Sequence, residues 1–301
     1  MLCLFFLAKS GSLRYLIKEK TMGGLTMKDI RIIALDLDGT LLNSNKELTE
    51  RNYRALEAAA ARGIEIVPTT GRFYDAMPQV IRDLPFVNYA ITINGAQVAH
   101  VRTGDVLYRA EIPWRQAVEI MSVLDTLPVV YDCFMDNAAF MTAALKERID
   151  ECTDDPHYRK MVRELRQSVP ELKAFITKRG QDVQKSQFFT MDMALRQRML
   201  NELPRRFPGI ITTAALLHNV EINHERANKG AAVLALAEHL GCGAENVMAF
   251  GDGLNDLPMI RAAGTGVVMA NAFDEVKRYA DYITDDCDHD GVAAAIEKFC
   301  L

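Results

Sequence analysis

Residues 31–43 read RIIALDLDGTLLN: two isoleucines, an alanine and a leucine run straight into Asp36 and Asp38, and Gly39-Thr40 follows at once. A continuous apolar run of this kind is the pattern of a central parallel strand covered on both faces. Ending it in two like charges works against stability, because carboxylates at the edge of an apolar environment are costly unless paired or bound to a metal. The charge is therefore read as functional. Side chains two apart on extended backbone start on the same face, so Asp36 and Asp38 are expected to share one.

Outward from this stretch, strand and helix patterns alternate. LTERNYRALEAAAARG (48–63) has a helical period, with Thr49 as its cap, Leu48 packing on Tyr53, and Gly63 as its stop. IEIVPTTGR (64–72) is a second buried strand, Phe73 to Leu84 a short helix despite Pro78, and NYAITINGAQV (88–98) a third strand ending at Asn94-Gly95. A hairpin follows with Thr103-Gly104 at its turn. From Pro113 the pattern becomes mixed: a helix to Leu127, short strands around VVYDCFM and AAFMT, a charged amphipathic stretch at 154–168, further strands in VQKSQFFTMD and GIITTAALLHNVEI, and a helix from Met193 to Phe207. The βα rhythm then resumes with NKGAAVLALAEHL, NVMAF, GDGLND, a helix through Arg261, GVVMA and DYIT. The fold expected is α/β, a doubly wound, Rossmann-like parallel-sheet core (27–110 and 224–301) with an inserted α+β cap domain (111–223).

The opening MLCLFFLAKSGS has an apolar run at residues 2–8 with no basic residue before it and no small-residue cleavage site after it, so residues 1–26 are read as a disordered extension. With 49% hydrophobic and 25% charged residues, the 301-residue chain has the composition of a globular protein, and a net charge of −5 gives it no overall attraction to nucleic acid or an anionic membrane. Six cysteines without a C-x-x-C are read as reduced thiols, which fits the cytoplasm. A small-molecule partner is the expectation.

In an open α/β sheet, ligands bind beyond the carboxyl ends of the strands. Polar residues collect there: Asp36 and Asp38, Thr70-Gly71-Arg72, Lys229 at a helix start, and the run from Asp252 to Asp256. Each taken singly has an ordinary explanation as a cap, a turn hydroxyl or a solvated lysine. Together, an acid cluster with one lysine has the composition that metal-assisted phosphoryl transfer requires, and a hard Mg²⁺ ion suits carboxylate and carbonyl oxygens.

With these four segments in hand, the chain resembles the haloacid dehalogenase superfamily, and within it the Cof-type phosphatases with a large α/β cap (class IIB). D-x-D-G-T is matched by Asp36 to Thr40, T-G-R by Thr70 to Arg72, K-G by Lys229-Gly230 and G-D-G-x-N-D by Gly251 to Asp256. Softer matches are Asn94-Gly95-Ala96, the Glu221-Ile222 pair before the lysine and DGVAAAI near the end. The insertion, between the second and third motifs, stands where this class carries its cap.

The resemblance implies a Mg²⁺-dependent phosphatase in which Asp36 attacks phosphorus to form an aspartyl-phosphate and Asp38 serves as acid and base. Thr70 and Lys229 complete the catalytic set. Phosphate and substrate contacts are expected from Gly39, Thr70, Gly71, Arg72, Asn94, Lys229 and Asn255, and metal binding from Asp36, Asp38 (through its carbonyl), Asp252 and Asp256. The expected substrate is a small phosphorylated metabolite, first a sugar phosphate. A phosphomutase and a phosphometabolite sensor are the alternatives. Arg109, Arg115, His157, Arg159, Lys185 and His218 in or beside the cap are candidate substrate contacts, but each is read first as a surface residue and none is assigned to the substrate.

Overall fold

The computed structural model of the protein describes residues 29–213 and 217–301, without the side chain of His157. The extension expected at 1–26 lies outside the described residues.

The first strand, β1 (Ile32–Leu35), sits inside a parallel sheet with β2 (Glu65–Pro68) on one side and, on the other, β12 (Val247–Gly251), β13 (Thr265–Val268) and β14 (Tyr282–Ile283). Alternate residues of β1 enter different cores, as the two-residue period requires. Ile33 and Leu35 pack with α1 (Glu50–Ala61) and α11 (Gly291–Phe299), whereas Ile32 and Ala34 pack with α8 (Lys229–His239) and α9 (Leu257–Ala262). Both faces are covered, which is why the run could be apolar throughout. Thr49 caps α1 as expected, accepting a hydrogen bond from the Asn52 amide at 3.2 Å.

Between β2 and the next strand, the single helix expected from Phe73 to Leu84 is instead a 3₁₀ turn at Tyr74–Ala76 and a short α2 (Gln79–Arg82). Pro78, which cannot continue a helix through its own nitrogen, stands at the break. Strand β3 (Tyr89–Thr92) runs parallel to β2 but meets it through one bridge, Thr69 with Ile91. The Thr70 amide bonds the Ile91 carbonyl at 2.9 Å. The amide two residues earlier would extend the same ladder, and that residue is Pro68, which has no N–H to give. Strands β4 (Gln97–His100) and β5 (Val106–Arg109) complete the antiparallel hairpin on β3.

The inserted module is built on a second sheet. Its strands are β6 (Val130–Met135), β7 (Ala138–Thr142), β8 (Arg166–Val169), β9 (Lys185–Phe189), β10 (Ile210–Thr213) and β11 (Asn219–His224), in the spatial order β10-β11-β9-β6-β7-β8. One face lies under α3 (Trp114–Leu124), α6 (Leu172–Arg179) and α7 (Met193–Arg206). The other is partly covered by α4 (Ala143–Glu147) and α5 (Pro156–Leu165), and elsewhere it meets the core, where Phe134 and Ala139 join Phe73, Ile93 and Ala96. The fold is therefore α/β, with a parallel-sheet core and an α+β cap. A last short helix, α10 (Asp274–Lys277), lies between β13 and β14.

Strand β8 was not legible in the charged stretch 154–168. Its Arg166 is buried and gives up solvation for an ion pair with the equally buried Asp132 at 2.8 Å.

Candidate active site

The polar strand ends converge as the α/β topology demands. Asp36 follows β1 directly and is buried. Lys229, the first residue of α8, is completely buried, and its Nζ donates to Asp36 Oδ1 at 2.5 Å and to Asp256 Oδ1 at 2.6 Å. Asp256 is further fixed by its Oδ2, which accepts from the amides of Asp252 and Gly253 at 3.0 and 2.9 Å. Asn228 caps α8 by accepting from the Ala231 amide at 2.8 Å, so the lysine is carried by a properly closed helix end.

Asp252 lies beside this pair. Its Oδ1 accepts from Thr40 Oγ1 at 3.1 Å, and its Oδ2 lies where a side chain on Gly39 would be, 2.6 Å from an ideal Cβ. Gly39 also has φ +86°, so glycine is required there for two independent reasons. Carboxylate oxygens of Asp36, Asp252 and Asp256 all fall within 4.8 Å of one another.

Three carboxylates thus share one ammonium. Burial pushes the Asp36 carboxyl up to about 7 against the opposing pull of Lys229, with Asp256 and Asp252 adding to the rise. Burial and the charge of Asp256 push Asp252 up to about 6. Burial alone would favour a neutral Lys229, but Asp256 and Asp36 outweigh it and hold the ammonium charged. An all-oxygen donor set with negative charge left uncompensated by the protein fits a hard divalent cation.

Asp38 lies past the end of β1. The strand stops at Leu35 and the chain then turns, with Leu41 N bonding Asp36 O and Leu42 N bonding Leu37 O. Asp38 pairs with Arg72, which grips both its oxygens at 2.8 Å, and with Lys46 at 3.0 Å. Burial would raise its pKa, but Arg72 and then Lys46 outweigh burial and hold it below the usual value. Thr70 is buried at the turn before Arg72 and accepts from the Arg72 amide at 3.1 Å. Gly71 lies against the Asn94 side chain, and Asn255 Nδ2 donates to Asn94 Oδ1 at 3.3 Å.

Two residues in this arrangement, Lys46 and Asn271, were not singled out from the sequence, and a third, Glu221, entered there only as part of the Glu221-Ile222 match. Lys46 sits in a loop folded by Asn43, whose side chain accepts from the amides of Asn45 and Glu47. Asn271, just past β13, donates to the Gly39 carbonyl at 2.8 Å, and its position beyond a strand end was the available signal. Glu221, on the cap strand β11, accepts from Asn94 at 3.1 Å. Two residues read as surface groups are not: Lys185 is buried against Glu221 at 2.8 Å, and His218 is buried near Asp154 at 3.2 Å.

Comparison with known proteins gives a consistent result. The family model of haloacid dehalogenase-like hydrolases matches residues 33–296. The chain is 30% identical to the phosphatase YwpJ of Bacillus subtilis over 288 residues, covering 88% of this chain and 98% of that protein. It is 31% identical to the B. subtilis 5-amino-6-(5-phospho-D-ribitylamino)uracil phosphatase YcsE over 277 residues, covering 91% and 97%. The crystal structure of a haloacid dehalogenase-like hydrolase from Bacteroides thetaiotaomicron superposes with a TM-score of 0.76 at 28% identity, over 89% of this chain and 99% of that one. The chain belongs to the haloacid dehalogenase-like hydrolase family, as a phosphatase of Cof type.

Proposed function

We propose that the protein hydrolyses phosphate monoesters of small metabolites with Mg²⁺, through a phosphorylated Asp36. The observation that carries this reading is the completely buried Lys229 bridging Asp36 and Asp256 inside a cluster of three carboxylates. Such a group stabilises charge in a dry site, where phosphoryl transfer gains most from fixed electrostatics.

Lys229 holds Asp36 Oδ1, so Oδ2 is the atom proposed to attack phosphorus. The P–O ester bond breaks as the new P–O bond forms, and the leaving oxygen takes a proton from Asp38. In the second step Asp38 takes a proton from water, whose oxygen displaces Asp36 from phosphorus and releases phosphate. Arg72 and Lys46 favour ionised Asp38, the form that second step needs, so Asp38 must take up a proton before it can act as the acid of the first step. Thr70 and Lys229 are assigned to the phosphoryl oxygens, with Gly39, Gly71, Arg72, Asn94 and Asn255 around the substrate. Asp36, Asp252 and the Asp38 carbonyl would hold Mg²⁺, with Asp256 orienting the site. When bound, the ion neutralises the charge that gathers on the transferred group.

Residues 111–223 are assigned as the cap that excludes bulk water and meets the rest of the substrate. Sugar and polyol phosphates are the preferred substrates. The name of YcsE, whose substrate carries its phosphate on a ribityl chain, supports that choice. Among the described residues no helix is long and apolar enough to cross a membrane, and the five described cysteines are free, which fits the cytoplasm as the site of action.

Phosphate release from a panel of sugar phosphates, nucleotides and phosphorylated cofactors tests the proposal. Release should require Mg²⁺ and vanish in Asp36→Asn. Undiminished release from that variant, or in excess EDTA, would sink it, and dependence on a bisphosphate activator would indicate a mutase.

A further inference from the structure

Ile93, Asn94 and Gly95 have φ of 51°, 55° and 91°, three left-handed residues in a row. A β-branched residue in that region is a true outlier, and such strain persists only where surrounding contacts enforce it. Here the enforcing contacts come from the catalytic loops. Ile93 N bonds the Arg72 carbonyl and Asn94 N bonds the Thr70 carbonyl, each at 3.0 Å. A side chain on Gly95 would come within 2.4 Å of the Asn228 carbonyl, so the turn is pressed against the start of the helix that carries Lys229.

The Asn94 side chain completes the junction. Its Nδ2 donates to Glu221 Oε2 on the cap at 3.1 Å, and its Oδ1 accepts from Asn255 in the Asp252–Asp256 loop at 3.3 Å. Glu221 is held by Lys185 at 2.8 Å and Thr213 at 3.2 Å, both on cap strands. A carboxylate can only accept hydrogen bonds, so Glu221 dictates which way the Asn94 amide faces. The amide oxygen is thereby left to Asn255.

We propose that Asn94 is a positioning residue that couples closure of the cap to the geometry of the Asp252–Asp256 loop. The seated cap, through Glu221, fixes the amide, and the amide fixes Asn255. The loop is then in its working arrangement only when the substrate is already shut away from bulk water. The inference rests on the phosphatase reading for its consequence in turnover, but not for its effect on cap position.

Asn94→Gly separates the coupling from mere support, because glycine adopts φ near +55° without strain while removing the amide. Thermal stability should stay at or above that of Asn94→Ala, while kcat falls about tenfold to a hundredfold with a smaller change in KM. Asn94→Asp faces a second carboxylate towards Glu221 and should enlarge the radius of gyration measured by small-angle scattering. Glu221→Gln keeps an acceptor and should recover kcat relative to Glu221→Ala. Wild-type kcat in Asn94→Gly, or unchanged scattering by Asn94→Asp, overturns the proposal. If the wild-type chain releases no phosphate, the phosphatase reading fails, and the scattering arm still decides whether Asn94 and Glu221 hold the cap.

Discussion

Lys229 carries the electrostatics of the site at the scale of single residues. It is buried and compensates two carboxylates at once, so Lys229→Met leaves Asp36 and Asp256 together without a counter-charge. Removing one partner of a buried pair costs about 3–5 kcal/mol. Turnover is expected to fall at least about a hundredfold. The stability loss should be larger in EDTA than in Mg²⁺, because a bound cation takes over part of the missing charge. Urea unfolding in the two buffers, alongside steady-state kinetics, checks both halves. Equal losses in both buffers would mean that the carboxylates do not share a metal.

Helices and strands respond to different changes. Thr49 caps α1 on the far side of the core from the lysine, and Thr49→Ala should cost about 1 kcal/mol in chemical denaturation while leaving kcat alone. Asp132→Ala strips the partner from the buried Arg166 of β8 and should cost about 3–5 kcal/mol in the same assay. A smaller loss than for Thr49→Ala would show that Arg166 finds another partner. The contrast also explains what could be read from the chain. Strand β1 and helix α1 announce themselves by apolar period and cap, which are local. Strand β8 does not, since its buried arginine is explained only by an aspartate on another strand. The break at Pro78 and the interrupted ladder at Pro68 were visible as prolines, but their consequences needed the neighbouring backbone.

For the whole molecule, the acid cluster makes stability depend on pH in a direction set by its pKa values. Asp36 rises from 3.8 to about 7 and Asp252 from 3.8 to about 6, so between pH 4 and 7 the folded chain keeps protons that the unfolded chain has released. Their contribution to stability is therefore lost as pH rises through that window. Asp38, held below 3.8, acts in the opposite sense but only at lower pH. Metal favours the ionised forms, so the gain in Tm on adding Mg²⁺ should be small at pH 4–5 and largest at pH 7 and above. Asp36→Asn should reduce the metal-free slope. Melting curves with and without Mg²⁺ that run parallel across this range would contradict the account.

The sequence by itself determined the parallel strands, the capped helices and the four motif segments that end on one edge of the sheet. These follow from local causes: two-residue and helical periods, turn residues, and charge placed where a buried strand must stop. The tertiary structure alone decided that Asp38 pairs with Lys46 and Arg72, that Lys185 is buried, and that Glu221 reaches Asn94 across 127 positions of chain. Contacts of that kind depend on the path of the backbone between the partners and on which polar groups burial forces to pair, and neither leaves a period in the sequence.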